Sequence, residues 1–156
     1  MRRENLRKHP GPRPPSPVIG CDIRPFIVTA PTAMKRVLLV EDDAATRKGY
    51  GVYLTNCGFD VIEAADGHQG LLLASTSQPD IIVLDLGLPD IDGWEVARQL
   101  KKDAQTATIP ILALTGSDLP HERVSAMRAG CDRHLAKPCE PGHLLATIRL
   151  CVGDGT

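Results

Sequence analysis

Six side chains that can bind a cation or handle an anion stand where apolar runs end. Glu41, Asp42 and Asp43 follow Val37-Leu38-Leu39-Val40 directly, and Asp85 closes Asp80-Ile81-Ile82-Val83-Leu84-Asp85. Thr115 ends Ile109-Pro110-Ile111-Leu112-Ala113-Leu114-Thr115, and Lys137-Pro138 follows the short run Asp132 to Ala136. Carboxylates drawn together repel one another, and a bound divalent cation removes that conflict. Carboxylate and carbonyl oxygens suit Mg2+, which keeps several waters and takes few carboxylates plus a phosphate. Each residue also has an ordinary reading. The acidic run complements a helix dipole, Asp85 serves a turn, Thr115 is core or cap, and Lys137 is solvated. A common location would favour the chemical reading of all of them together.

The elements that must supply that location are legible. Val37 to Val40 reads as a strand covered on both faces. Ala44 to Asn56 reads as a helix, weakened by Gly49 and Gly51, with Gly58 as its stop. A second strand spans Phe59 to Ala64. A second helix spans Asp66 to Ser77 with Asp66 as N-cap, and a third strand Asp80 to Asp85. Gly87, Pro89 and Gly93 punctuate the next loop, and a helix follows to about Lys102. Ile109 to Thr115 is the fourth strand. Pro120 opens a helix that stops at Gly130. Asp132 to Ala136 is the fifth strand, and Pro141 opens a last helix to about Val152. Alternating strands and helices predict an α/β fold, a parallel sheet with helices on both faces and right-handed crossovers. In such sheets ligands bind beyond the carboxyl ends of the strands, and every candidate residue falls at that edge.

The ordered set Val37-Leu38-Leu39-Val40-Glu41-Asp42-Asp43, Val83-Leu84-Asp85 with Leu88-Pro89 and Asp92-Gly93, Leu114-Thr115, and Lys137-Pro138 resembles the receiver domains of two-component response regulators. The resemblance runs from about Lys35 to Val152. It implies a flavodoxin-like (βα)5 doubly wound sheet with strand order 2-1-3-4-5. It implies that Asp85 becomes a 4-aspartylphosphate, and that Glu41 and Asp42 hold Mg2+ together with Asp85 and the Gly87 backbone carbonyl. It implies that Thr115 is the switch hydroxyl, that Lys137 pairs with phosphoryl oxygens, and that Lys137–Pro138 is a cis bond. Asp43 lies one past the acidic pair and is expected to cap a helix. The implied donor is a phosphohistidine on a sensor histidine kinase or a histidine phosphotransfer protein. Such a protein is a signalling protein that catalyses only its own phosphorylation and dephosphorylation, with no separate substrate to make it an enzyme.

Some positions depart from the pattern. His134, three residues before Lys137, stands where the family's switch carries Tyr or Phe. It can titrate near neutrality, and is read as a tolerated planar side chain in preference to a pH sensor. Gly116 leaves the acceptor open to a donor or water. Gly87 and Ser117 occupy positions that tune hydrolysis in the family and offer no carboxamide or acid, so slow self-dephosphorylation is expected.

Composition agrees with a globular domain: of 156 residues, 42% are hydrophobic. The formal net charge of −1 lacks the basic footprint of a nucleic-acid binder. Residues 1–33 differ from the rest. They carry six Lys/Arg against Glu4 and Asp22, and seven of the thirteen prolines. They are expected to form a disordered extension or to precede a true start at Met34, with a docking arm as the further reading. The receiver-like domain is assigned to 34–152 and a short tail to 153–156. Five cysteines without a CxxC spacing fit unpaired thiols in a reducing compartment and give no metal-finger signal. Val18-Ile19-Gly20-Cys21 weakly resembles a lipoprotein cleavage site but lacks an apolar h-region before it. No run approaches a membrane span, so a cytoplasmic protein with no membrane partner is expected. An Asp-x-Asp-x-Thr phosphatase pattern is absent after both Val40 and Asp85, and no Gly-x-Gly-x-x-Gly or Walker motif occurs. The resulting expectation is a stand-alone receiver that signals to a protein target. The face holding Glu122, Arg123, Ala126 and Ala129 is expected to be exposed for it. The alternative is a phosphorylation-independent adaptor on the same scaffold.

Overall fold

The computed structural model describes residues 34–116 and 120–153. The expectations for residues 1–33, Cys21, Ser117 and residues 154–156 lie outside the described residues. The element order is β1 (Arg36–Val40), α1 (Ala44–Asn56), β2 (Asp60–Ala64), α2 (Gly67–Ser77), β3 (Ile81–Asp85), α3 (Gly93–Lys102), β4 (Ile111–Thr115), α4 (Pro120–Arg128), β5 (Arg133–Ala136) and α5 (Pro141–Val152). The strands form one parallel sheet in the order β2-β1-β3-β4-β5, the doubly wound order expected.

Residues in a strand alternate between sheet faces, and both faces here are apolar. Val37, Leu39, Ile81, Val83, Leu112 and Leu114 pack with Tyr50 and Leu54 of α1 and with Leu144 and Ile148 of α5. Leu38, Val40, Ile82, Leu84, Ile111 and Ala113 pack with Ala74 of α2, with Val96, Ala97 and Leu100 of α3, and with Ala126 of α4. β1 and β3 are therefore apolar at every position except Arg36 and the final Asp85, as strands covered on both faces must be.

Aspartates set three of the helix starts. Asp43 accepts from the Thr46 amide at 2.9 Å, Asp66 from the Gln69 amide at 2.7 Å, and Asp92 from the Trp94 amide at 3.1 Å. Each satisfies a donor that a helix N-terminus leaves open. Gly58 and Gly130, with φ of 95° and 96°, take the left-handed conformation beyond the ends of α1 and α4, where a Cβ is unfavourable.

Boundaries differ from the sequence reading by a residue or two, for local reasons. Phe59 is not in β2, because its amide closes the α1 terminus on the Leu54 carbonyl. Pro110 precedes β4. It has no N–H to give, but its carbonyl accepts from Ile82 at 3.0 Å. Asp132 precedes β5 and turns its carboxylate to the Ile111 amide at 2.8 Å and to Lys101 Nζ at 3.2 Å. A larger correction concerns α4. Ala126 and Ala129 are buried against the sheet, so they do not belong to the exposed face; Val124 and Met127 do, at 49% and 58% exposure. Alanine leaves room for helix and sheet to approach, while the longer side chains point away. Cys57, Cys131, Cys139 and Cys151 are free thiols, and burial pushes that of Cys131 up to about 11.

At Gly93 the start of α3 meets the backbone at the end of β3 closely. A Cβ there would stand 2.5 Å from Leu86 Cα and 2.9 Å from the Asp85 carbonyl oxygen. Both obstacles are backbone and cannot rotate away. Gly93→Ala is expected to destabilise the protein by about 1–3 kcal/mol, the usual range for overpacking, and to shift the Asp85 and Leu86 amide signals. Denaturant unfolding together with an amide spectrum checks both effects.

Candidate functional site

The sheet delivers the polar residues with little freedom, because backbone pairing continues just past the strand ends. Glu41 N–H donates to the Ala64 carbonyl at 3.0 Å, Leu86 N–H to Leu114 at 3.0 Å, and Lys137 N–H to Thr115 at 2.7 Å. Glu41, Asp85 and Thr115 are buried at 1%, 5% and 1% exposure, whereas Asp42 is exposed. Polar groups so deeply buried need partners, and Glu41 and Asp85 share one.

Lys137 Nζ lies 2.7 Å from Glu41 Oε2 and 3.1 Å from Asp85 Oδ2. The other oxygen of Glu41 accepts from the Asp43 amide at 3.2 Å, and that of Asp85 from the Gly87 amide at 3.0 Å. Glu41, Asp42 and Asp85 each bring a carboxylate oxygen into one cluster, all within 4.8 Å of one another. One ammonium thus faces three carboxylates.

The electrostatics follow from this count. Burial pushes the Glu41 carboxyl above its ordinary range, and the nearby Asp85 charge adds to that, against the Lys137 hydrogen bond. Burial also works against the charge on Lys137. Hydrogen bonds and charge from Glu41 and Asp85 outweigh it and hold the ammonium above its usual range. All-oxygen donors with surplus negative charge suit a hard divalent cation such as Mg2+.

The structure brings Glu41, Asp42, Asp85 and Lys137 together, as the sequence reading expected of residues at one sheet edge. Gly87 enters through its amide. Thr115 stands on the strand beside Asp85, one residue past its register partner Leu114, and its hydroxyl donates to the Leu135 carbonyl at 3.5 Å. His134 pairs in register with Ala113 on β4 and is half-buried. At Gly116 an added Cβ would meet nothing within 4 Å, so the edge is open there. Lys137–Pro138 is cis, and Asp43 is the N-cap of α1, both as expected.

Three residues escaped the sequence reading. Arg47 donates to the Glu41 carbonyl at 2.8 Å and reaches that of Asp42 at 3.5 Å, which holds the acidic turn. Its signal was present: a cation early in a helix opposes the dipole and calls for an acceptor upstream. Asp90, in the loop after β3, accepts from the amides of Gly67 and His68 at 2.9 and 3.0 Å and pairs with His68 Nδ1 at 2.6 Å. Desolvation alone would raise its pKa, but those donors hold the carboxyl well below the usual range. The Tyr50 hydroxyl donates to the Cys139 carbonyl at 2.6 Å. Neither Asp90 nor Tyr50 had a local signal, since their partners lie far off in sequence.

Residues 37–149 match the family model described as the response regulator receiver domain. Among curated relatives, the DNA-binding dual master transcriptional regulator RpaA of Synechocystis is 39% identical over 116 residues, covering 74% of this chain and 48% of its own length. Protein PilH of Pseudomonas aeruginosa is 34% identical over 115 residues, covering 74% of this chain and 95% of its own. The chain thus spans about half the length of curated relatives such as RpaA. Among solved structures, Vibrio cholerae chemotaxis protein CheY4 superposes with a TM-score of 0.73 at 31% identity, over 76% of this chain and 99% of that one. The receiver domain of sensor histidine kinase PA1611 from P. aeruginosa, which has a magnesium ion coordinated in its active-site cleft, gives 0.72 at 30% identity over 78% and 100%. With the family model matched across most of its length, this chain belongs to the response regulator receiver domain family of two-component systems.

Proposed function

We propose that Asp85 accepts a phosphoryl group from a phosphohistidine of a sensor histidine kinase or histidine phosphotransfer protein, and that a partner protein reads the resulting state. The observation that carries this reading is the Lys137 ammonium held between buried Glu41 and Asp85, with Asp42 in the same cluster.

In the transfer, an Asp85 oxygen forms a bond to phosphorus as the phosphorus–nitrogen bond of the donor histidine breaks, and the electron pair leaves on the imidazole. The protein's part is placement and charge neutralisation. The Gly87 amide fixes one Asp85 oxygen, which orients the carboxylate. Lys137 already touches the other oxygen and can pair with the phosphoryl oxygens as they arrive. Thr115, buried beside the acceptor, can turn its hydroxyl to the same group. Glu41, Asp42, Asp85 and the Gly87 carbonyl would hold Mg2+, which when bound supplies positive charge to the carboxylates and to the phosphoryl oxygens. Hydrolysis of the acyl phosphate resets Asp85. His134 is assigned to the relay from Thr115 to the surface, and the cell compartment we assign is the cytoplasm. Among the described residues no helix is long and apolar enough to cross a membrane.

Incubation with acetyl phosphate and Mg2+ is expected to add the mass of one phosphoryl group to the wild type and nothing to Asp85→Asn. A wild type that gains no mass, or an Asp85→Asn that gains it equally, would overturn the assignment. Neither Gly87 nor Ser117 brings a carboxamide or acid to orient water, so the phosphorylated form is expected to outlast seconds in Mg2+ buffer, followed by mass against time.

Glu41 gives a pH-dependent prediction for the metal-free protein. Its folded pKa lies above the unfolded value, so the native state binds the extra proton between the two. Relative to Glu41→Gln, wild-type stability should therefore rise as pH falls from neutrality toward about 4.3, the ordinary Glu value. It should decline as pH climbs through the folded pKa. Urea unfolding of both proteins across this range tests the sign, and added Mg2+ is expected to flatten the difference.

A further inference from the structure

Among the described residues, the loop that carries Lys137 has few backbone hydrogen bonds. Lys137 N–H is bonded to the Thr115 carbonyl, Pro138 has no N–H to give, and α5 starts only at Pro141. A cleft of about 340 Å³ opens beside it, lined by Thr46, Tyr50, Lys137, Pro138 and Cys139. Open space on that side leaves the loop supported mainly from its buried flank, where Cys139 packs.

Tyr50 supplies part of that support. It lies on α1 seven residues after Asp43, two turns along the same helix face. Asp43 caps that helix, and Arg47 ties it to the Glu41 carbonyl, so α1 is rigidly joined to the acidic turn. Tyr50 is buried, in the same apolar cluster as Leu54, Cys139 and Leu144, and its hydroxyl donates to the Cys139 carbonyl at 2.6 Å across 89 residues of sequence. That acceptor is two residues past Lys137. Burial pushes the hydroxyl above its usual pKa, so it remains a donor at neutral pH.

We propose that Tyr50 is a positioning residue for Lys137: its hydroxyl clamps the loop after β5 to α1 and thereby sets the Lys137 ammonium against Glu41 and Asp85. The proposal rests on the phosphoryl-acceptor reading for its kinetic consequence and on geometry alone for the clamp. Only the hydroxyl is required, since the ring would pack as well in phenylalanine. A buried Tyr–carbonyl bond contributes modestly to stability, whereas a small misplacement of a group that must meet a transition state has a disproportionate effect on rate.

The test uses Tyr50→Phe, Lys137→Met and the double variant in the full chain. The phosphorylation rate is measured with acetyl phosphate at saturating Mg2+, alongside thermal unfolding. Tyr50→Phe is expected to stay folded, with Mg2+ affinity unchanged and the rate lowered by up to about 100-fold, the scale of a misplacement of about 1 Å. In the Lys137→Met background the same substitution should add no further loss, because the group it positions is gone. An equal loss in both backgrounds, or none in either, overturns the proposal. A second readout does not depend on phosphorylation. The two Lys137 Cε protons, assigned from the spectrum of Lys137→Met, should be inequivalent in the wild type and collapse toward one averaged signal in Tyr50→Phe. Unchanged signals overturn the clamp. Collapsed signals in a protein whose wild type takes no phosphoryl group uphold the clamp and remove the acceptor reading instead.

Discussion

The Lys137 ammonium, 2.7 Å from Glu41 and 3.1 Å from Asp85, is the contact around which the site is organised, because it neutralises only part of the charge assembled there. At an effective dielectric of 20, an ion pair 4 Å apart is worth about 4 kcal/mol. Removing each ion from water costs several kcal/mol in return. One such pair breaks roughly even, so a second buried carboxylate and an exposed third remain in deficit. The raised Glu41 pKa is the mark of that deficit. A site of this kind is incomplete by charge, and a divalent cation or a phosphoryl group with its counterion changes the balance more than any rearrangement of the protein's own groups.

Such a concentration of charge needs a platform that does not relax. β1 and β3 provide it, with Val37 to Val40 and Ile81 to Leu84 all at 0% exposure. Each fully buried aliphatic side chain contributes about 1.5–3 kcal/mol, so a few of them offset the cost of ionised groups at the strand ends. The backbone closes around Asp85 as well: Gly93 lets α3 start within a backbone contact of it, and Asp90 pins the intervening loop to α2. Asp85 therefore lies between a strand buried on both faces and a loop tied at its far end.

The architecture was legible because parallel strands buried on both faces leave a simple trace, an apolar run that ends abruptly in a charged residue. Glu41 and Asp85 are found by that trace, and Lys137 follows from its place after β5. Strand starts were less legible, since Pro110 and Asp132 belong to the run by composition but not to the ladder: one lacks a donor, and the other uses its side chain on the Ile111 amide. The outer face of α4 was misjudged for a different reason. It was drawn from analogy, whereas the three-residue step from Ala126 to Ala129 is itself a core spacing, with Val124 and Met127 falling outside it. Tyr50 and Cys139, 89 positions apart, were beyond any local rule. A tyrosine inside an apolar helix face shows only that its hydroxyl requires a partner, not where the partner is.

The three carboxylates are not equivalent, and burial divides their work. Glu41 has both oxygens engaged, one by Lys137 and one by the Asp43 amide, and is sealed from solvent. Asp42 projects outward, its backbone carbonyl steadied by Arg47. Asp85 is between them, one oxygen fixed by Gly87 and the other shared with Lys137. A hydrated cation such as Mg2+, which gives up its waters reluctantly, reaches Asp42 and Asp85 at the open side with less rearrangement than Glu41. Glu41 thus has a second task beside any cation: it holds the Lys137 ammonium at 2.7 Å, at an energetic cost visible in its own raised pKa. Asp85 differs from Glu41 in degree: its ammonium contact is longer, 3.1 Å against 2.7 Å, and shared, so its pairing is the more readily exchanged for an incoming cation.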